Sequence, residues 1–249
     1  MRALVVIPTY NEASSLRRVV ESVRRTARAH VLVVDDNSPD GTGELADWLA
    51  ERDYGVHVLH RTAKAGLGAA YRAGFAWALT SGYEGIGQMD ADGSHAPEDV
   101  PRLLDALRNA DLVIGSRYVP GGDVRNWPRS RRLLSRAGNA YVQLWTGLPI
   151  SDATAGFRMF RRAALAALQL EDVRSDGYSF QVELALRTHA AGLRVVEIPI
   201  TFVERIDGVS KMSRGIVAEA LWRVPGWALD IRGRPTAVAA RSVAAPTRH

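Results

Sequence analysis

Asp90 and Asp92, one residue apart in the run Gln88-Met89-Asp90-Ala91-Asp92-Gly93-Ser94-His95, carry the clearest chemistry in this chain. A divalent cation that bridges two phosphates takes hard oxygen ligands. Mg²⁺ commonly uses one or two protein carboxylates and keeps positions for substrate oxygens. Two aspartates in a turn can supply them. Ser94 follows as a hydroxyl ligand by position, whereas His95 reads first as a structural histidine and second as a ligand or acid–base group. Asp35 and Asp36 precede the turn residues Asn37, Ser38, Pro39, Asp40 and Gly41. A carboxylate there can accept hydrogen bonds from a ribose or a base, and Asp40 is placed to cap the next helix. Glu12 follows Pro8-Thr9-Tyr10-Asn11, where Tyr10 can pack on a nucleoside. On the basic side, Arg205 and Lys211 flank Gly208 and suit a lid over a phosphate.

Each acidic edge ends a short apolar run of the kind that forms a strand buried on both faces of a parallel sheet. The spacing predicts strands at Leu4 to Pro8, Val31 to Asp35, Val56 to Leu59, Gly85 to Met89 and Leu112 to Gly115. Between them lie helices led by Leu16, Val19, Val20, Val23 and Ala27, then by Leu45, Trp48 and Leu49, then over Gly66 to Leu79, and from Pro97 to Asn109. That alternation implies a mostly parallel sheet with right-handed crossovers. Ligands in such sheets bind beyond the carboxyl ends of the strands, where these carboxylates fall. After Arg117 the pattern loosens into a long loop with Pro120, Gly121, Gly122 and Pro128. A helix from Arg131 to Trp145, a strand from Ala155 to Phe160, a helix from Tyr178 to Ala191 and an extended segment from Arg194 to Phe202 then follow. A last helix is expected over Ser213 to Ile231, and residues 232–249 read as a disordered tail. The expected organisation is one catalytic domain over 1–231, with a donor half (1–116) and an acceptor half (117–231).

Gly66-Leu67-Gly68 does not open a dinucleotide fingerprint, because Tyr71 occupies the last glycine position and no glycine-rich turn follows the first strand. With 249 residues, 47% of them hydrophobic, the chain is long enough for one substantial α/β domain. It contains no cysteine, which excludes disulfides and thiolate metal sites. The first strand starts too early to leave room for a signal peptide, and no apolar stretch of about 18 residues is present, so a cytoplasmic location without a membrane span is expected. The net charge of +5 comes mostly from arginine, which suits phosphate. Nucleic acid is not expected as a partner: aromatic-basic interleaving is missing, and carboxylate-rich strand ends repel a phosphate backbone.

The segments PTYNE, VVDDNSPDGT, K-A-GLG-A, MDAD, GSRY, SDATAGFR, GYSFQVE and ITFVER-x-x-GVSKMS occur in this order between Leu4 and Trp227. Together they resemble the polyprenol (dolichol) phosphate mannosyltransferases of glycosyltransferase family two, above all the actinobacterial polyprenol monophosphomannose synthases. The resemblance implies a GT-A fold, a Rossmann-like sheet flanked by helices with an acceptor-side C-terminal extension. It implies transfer of mannose from GDP-mannose to a polyprenyl monophosphate with inversion. It also implies that Pro8, Tyr10, Glu12, Val34 and Asp36 line the nucleoside pocket. Asp90, Ala91 and Asp92 would meet the diphosphate and a Mg²⁺ or Mn²⁺ ion, with Asp92 the chief ligand, and Arg117, Arg205 and Lys211 would hold the phosphates. Relatives often carry Gln in place of Ser94, so the second metal ligand differs from the family pattern. Many relatives also have C-terminal membrane spans or small membrane partners.

An acceptor phosphate is already an anionic nucleophile, so no strong general base is required. The rival readings are the same transfer from another donor, such as UDP-glucose, and a non-catalytic nucleotide-sugar sensor at a membrane surface. Because the acceptor tail lies in the bilayer, peripheral attachment to the cytoplasmic face is expected, with or without a membrane-anchoring partner protein. Leu221, Trp222, Val224, Trp227, Leu229 and Ile231 beside Arg223, Arg232 and Arg234 are the expected contact.

Overall fold

The computed structural model describes residues 1–204 and 224–226. Arg205, Lys211, the tail after Arg232 and the last expected helix, apart from 224–226, lie outside the described residues. Strands β1 (Ala3–Thr9), β2 (His30–Asp35), β3 (Val56–His60) and β4 (Gly85–Gln88) alternate with helices α1 (Ala13–Ala27), α2 (Thr42–Arg52) and α3 (Leu67–Thr80). Helix α4 (Val100–Ala106), with a 3₁₀ turn at either end, leads to β5 (Leu112–Ser116). The second half holds β6 (Asp123–Arg125), α5 (Arg129–Thr146), β7 (Arg158–Arg161), α6 (Arg162–Ala167), α7 (Gly177–Ala190), β8 (Val195–Pro199) and β9 (Thr201–Val203).

Seven strands form one sheet in the order β3-β2-β1-β4-β7-β5-β8, and β6 pairs with β9 in a separate parallel ribbon. Strands β1 to β4 are mutually parallel where they pair, whereas β7 is antiparallel to both of its neighbours, β4 and β5. The β1 sequence explains its central place. Leu4 and Val6 enter one core cluster with α3 and α7 residues such as Phe75 and Phe180, while Val5 and Ile7 enter another with Leu16, Val19 and Val23 of α1. A strand covered on both faces needs this unbroken apolar run. Helix α3 lies so close to the sheet that a Cβ on Gly74 would stand 2.5 Å from Val6 Cγ1. Glycine is what this contact requires.

Several expectations are corrected. Trp48 does not face the core: α2 buries Thr42, Gly43, Ala46 and Leu49 instead. Trp48 is packed by cations on the surface, with Arg52 4.1 Å and Arg17 5.1 Å from its ring centroid. The expected strand at Ala155 starts only at Arg158, because Ala155 closes a turn by donating its N–H to Asp152 O at 3.2 Å. The short elements β6 and α6 lie in segments too brief to show a period. Val224 is fully buried in the core cluster and does not offer surface to a membrane.

Candidate active site

The exits of β1, β2 and β4 come together at one edge of the sheet because the three strands are parallel and in register. Pro8 lies opposite Val34 and Thr9 opposite Asp35. Past the paired residues, Asp36 N donates to Thr9 O at 3.1 Å and Met89 N to Val6 O at 3.2 Å. Asn11 (φ 60°) and Asn37 (φ 58°) turn the first two exits in the left-handed region, which asparagine tolerates better than most residues. Above this edge lies a cleft of about 340 Å³ lined by Pro8, Tyr10, Glu12, Asp36, Asp90, Ala91 and Asp92, and on the far wall by Arg117, Trp127 and Arg131.

The Asp90–Asp92 turn is held on three sides. Gly93 takes φ +76°, and the Asp92 carboxylate accepts from the Ser94 N–H at 2.9 Å and from the Ser94 hydroxyl. Ser94 is itself buried and is not part of the cleft wall. Its hydroxyl donates to the Asp92 carboxylate and orients it. Tyr71 Oη donates to Asp90 Oδ1 at 3.3 Å from a fully buried ring. Burial, and then the neighbouring Asp90 charge, raise that phenol well above its ordinary pKa, so it stays a neutral donor. His95 Nδ1 accepts the Asp90 backbone N–H at 3.2 Å, which places a neutral ring's proton on Nε2. The 4.0 Å approach of Asp90 Oδ2 to that same acceptor nitrogen is therefore not an ion pair. The ring stacks on Phe157 at 5.0 Å and meets Phe202 edge-on. His95 is a post that shapes the turn, as the structural reading expected.

On the β1–β2 side the paired aspartates separate. Asp35 turns inward and accepts from Thr9 Oγ1 (3.0 Å), Ser38 N (3.1 Å) and Ser38 Oγ (2.6 Å). Asp36 turns to the cleft and pairs with Arg61 at 2.6 Å. Tyr10 lies beneath Lys64, whose Nζ is 3.9 Å from the ring centroid. Asp40 does more than cap one helix: it accepts from Thr42 N and Thr42 Oγ1 at the start of α2 and from Ala13 N at the start of α1. Burial opposes its ionisation, but these hydrogen bonds outweigh burial and hold its pKa below the ordinary value. The Val34 side chain is fully buried in the core cluster, below the strand exit.

The far wall rests on the segment Ser151–Arg158. Glu197 of β8 accepts the Ser151 and Asp152 N–H groups at 2.7 and 2.9 Å. Asp152, fully buried, accepts from Arg117 Nε at 2.7 Å, Arg117 Nη2 at 2.6 Å and Arg117 N at 3.0 Å. Arg117 does line the cleft, but its charge is compensated from behind. Burial alone would lower its pKa; the Asp152 charge reverses that and raises it. Arg158 lies wholly buried beneath and donates to Ala153 O, Ala155 O and Gln181 O. Burial pulls its pKa down to about 9, which still leaves it protonated at neutral pH. Arg131 pairs with Glu204 and stands 4.2 Å over the Trp127 ring.

Sequence reasoning missed Asp152, Gln181 and Asp176. Asp176 lines the cleft from the N-terminus of α7 and accepts the Gly68 N–H at the start of α3. Gln181 accepts from Gln88 Nε2 at 2.9 Å inside the core. Asp152 and Gln181 lie in the segments SDATAGFR and GYSFQVE, Asp176 immediately precedes the second, and no local pattern assigned any of them a role. Among the described residues no group of three or more His, Asp or Glu side chains could by itself hold a metal ion. The two aspartates therefore fit a cation that completes its shell with substrate oxygens, the usual habit of Mg²⁺ at phosphates.

The profile of Glycosyl transferase family 2 matches residues 4–168. The undecaprenyl-phosphate mannosyltransferase of Micrococcus luteus is 55% identical over 93% of this chain and 96% of its own. The polyprenol monophosphomannose synthase of Mycolicibacterium smegmatis is 56% identical over 94% of this chain and 88% of its own. Among solved structures, the glucosyl-3-phosphoglycerate synthase of Mycobacterium tuberculosis, in complex with Mn²⁺, UDP and phosphoglyceric acid, superposes with a TM-score of 0.65. That match is 19% identical and covers 95% of this chain and 80% of the other, which extends the GT-A fold to this chain. With acidic strand exits around one cleft and a family match over most of its length, this chain belongs to glycosyltransferase family 2 and is a glycosyltransferase.

Proposed function

We propose that the protein transfers mannose from GDP-mannose to a polyprenyl monophosphate, in a single in-line displacement that inverts the anomeric centre. The observation that carries this reading is the fixed Asp90–Asp92 turn in a cleft lined by Tyr10, Glu12 and Asp36 on one side and by an aromatic-basic wall of Arg117, Trp127 and Arg131 on the other. The high identity to relatives named for polyprenyl-phosphate mannosylation supports the substrate pair. Residues 1–231 act as one catalytic domain in this reading, at the cytoplasmic face of a membrane.

Tyr10, Glu12, Asp36 and the Pro8 backbone bound the nucleoside edge, and Lys64 neutralises part of the donor's charge. Asp92, oriented by Ser94, and Asp90, held by Tyr71, would hold a Mg²⁺ or Mn²⁺ ion, which would supply charge neutralisation at the departing diphosphate. Arg117 keeps the far wall rigid through Asp152, while Arg205 and Lys211 meet the acceptor phosphate. An acceptor phosphate oxygen forms the bond to the sugar's anomeric carbon as that carbon's bond to the diphosphate breaks. The electron pair leaves with GDP. No side chain removes a proton, because the phosphate monoester is already ionised.

The test is incubation of purified protein with radiolabelled GDP-mannose, a polyprenyl phosphate and Mg²⁺, followed by organic extraction. Labelled lipid that is released by mild acid supports the reading. Transfer from UDP-glucose in preference to GDP-mannose, or no lipid product under any of a panel of donors and metals, overturns it.

A further inference from the structure

Gln181 is only 3% exposed, yet it lines the cleft. Its Oε1 accepts from Gln88 Nε2 at 2.9 Å, and its backbone O accepts from Arg158 Nη1 at 2.7 Å. The amide nitrogen, Nε2, donates to no atom of the described residues and is open to the cleft. The side chain is thus a fixed donor with nothing to donate to. The reverse orientation of the two amides is disfavoured. As they stand, Gln88 Oε1 is the buried atom left without a partner. Turning both would strand the N–H groups of Gln88 instead, and an orphaned buried N–H is rarer than an under-satisfied carbonyl oxygen.

The sheet order places this donor. Strand β7 lies between β4 and β5, with Arg158 opposite Gln88 of β4 and Ile114 of β5. Gln88 and Arg158 are the residues that hold Gln181. Its amide therefore stands between the Asp90–Asp92 turn, which follows β4, and Arg117, which follows β5. Gly156 marks the same span, since a Cβ there would be 3.7 Å from Asp90 Oδ2. The hydrogen bonds of Arg158 all end on carbonyl oxygens, of Ala153, Ala155 and Gln181, so a buried cation lies directly behind the amide.

We propose that Gln181 is a catalytic residue that binds the attacking acceptor: its Nε2 donates to one oxygen of the acceptor phosphate and holds a second oxygen in line with the sugar's anomeric carbon. The inference rests on the proposed transfer to a lipid phosphate and names a group at its reacting centre. A neutral amide suits that place. A carboxylate there would repel an anionic nucleophile and would have no proton to remove. An N–H that is already held offsets part of the phosphate charge without reorganising during the reaction.

Two titrations and a rate test the proposal on the full chain: binding of GDP with Mg²⁺, binding of geranyl phosphate to the GDP-loaded protein, and mannose transfer to geranyl phosphate. Gln181→Glu keeps an acceptor for Gln88 Nε2 but turns a negative charge to the cleft. It is expected to bind GDP within about twofold of wild type, to bind geranyl phosphate at least about tenfold more weakly, and to transfer at least about a hundredfold more slowly at pH 8. Its deficit relative to wild type should shrink toward pH 5, where the introduced carboxyl regains a proton to donate. Gln181→Met, similar in length and uncharged, should lose about tenfold in transfer. Acceptor binding as tight as wild type, equal losses in the two variants, or a Gln181→Glu deficit that does not change with pH overturns the proposal. Should Gln181→Glu fall short of the wild-type thermal midpoint, Gln181→Met decides by the same titrations: weaker acceptor binding with GDP binding kept supports the assignment, and both kept or both lost overturns it. Wild-type rates in both variants sink the role of Gln181 and leave the proposed reaction standing. A wild type that transfers to no lipid phosphate takes down the reaction and this role with it.

Discussion

Arg117 and Asp152 form a two-pronged buried ion pair, with Nε and Nη2 donating at 2.7 and 2.6 Å and the Arg117 backbone N–H adding a third bond to the same carboxylate. The two residues stand on the β5 exit and on the loop before β7, so this pair ties the far wall of the cleft to the sheet. Removing one partner leaves a buried charge without compensation. Asp152→Ala is expected to destabilise the fold by about 3–5 kcal/mol, which a urea or thermal unfolding curve reads directly. An unfolding midpoint within error of wild type contradicts this.

The same pair has a pH signature. Burial works against ionised Asp152, but the Arg117 charge and its hydrogen bonds outweigh burial and hold the carboxyl below its ordinary pKa. A depressed folded-state pKa contributes stability above the unfolded value of about 3.9, and this is lost as pH falls through the folded value. Wild-type stability should therefore fall steeply in acid below that unfolded value. In Asp152→Asn, part of that acid dependence should be missing, as measured by unfolding at a series of pH values.

Asp92→Ala should lower turnover by about a hundredfold to a thousandfold while the fold survives, because charge stabilisation at the leaving diphosphate is lost. Ser94→Ala should cost about tenfold, since it loosens Asp92 without removing it. Steady-state rates over a Mg²⁺ and Mn²⁺ titration separate the two variants. Full activity of Asp92→Ala in EDTA removes the metal from the mechanism.

Tyr71→Phe keeps the ring stacked at 5.7 Å on Phe75 and 6.0 Å on Phe180 but deletes the hydrogen bond to Asp90. The expected loss is about 0.5–1.5 kcal/mol of transition-state stabilisation, or roughly threefold to tenfold in rate. Unchanged kinetics would mean that Asp90 does not depend on this bond.

Arg205→Ala and Lys211→Ala should each reduce turnover more than they weaken binding of GDP alone, since these cations act when both substrates are present. Loss of one phosphate contact in a closed site is worth about 2–4 kcal/mol, roughly a hundredfold in rate. Rates equal to wild type in both variants exclude the segment from the reaction, and GDP titration calorimetry supplies the binding half of the comparison.

Strand positions and their acidic exits were legible from sequence for a physical reason. A central parallel strand is covered on both faces, so Leu4 to Ile7 and Val31 to Val34 must be continuously apolar, and polarity returns only where the sheet ends. Helix α1 was legible from the period of its apolar residues, and helices were expected over Gly66 to Leu79 and Arg131 to Trp145, close to α3 and α5. Period alone does not say which face a helix turns inward: the same pattern that put Leu16 and Val23 of α1 in the core left Leu133 and Leu144 of α5 outside. Only the tertiary structure decided that: Asn139 meets the buried Asp152 carboxylate and Gln143 meets the Ile150 carbonyl in the loop that folds back after the helix. It likewise decided which of two adjacent aspartates faces the cleft. Asp35 and Asp36 are chemically identical, and their roles part because Ser38 and Thr9 satisfy one carboxylate inside while Arg61 meets the other at the rim.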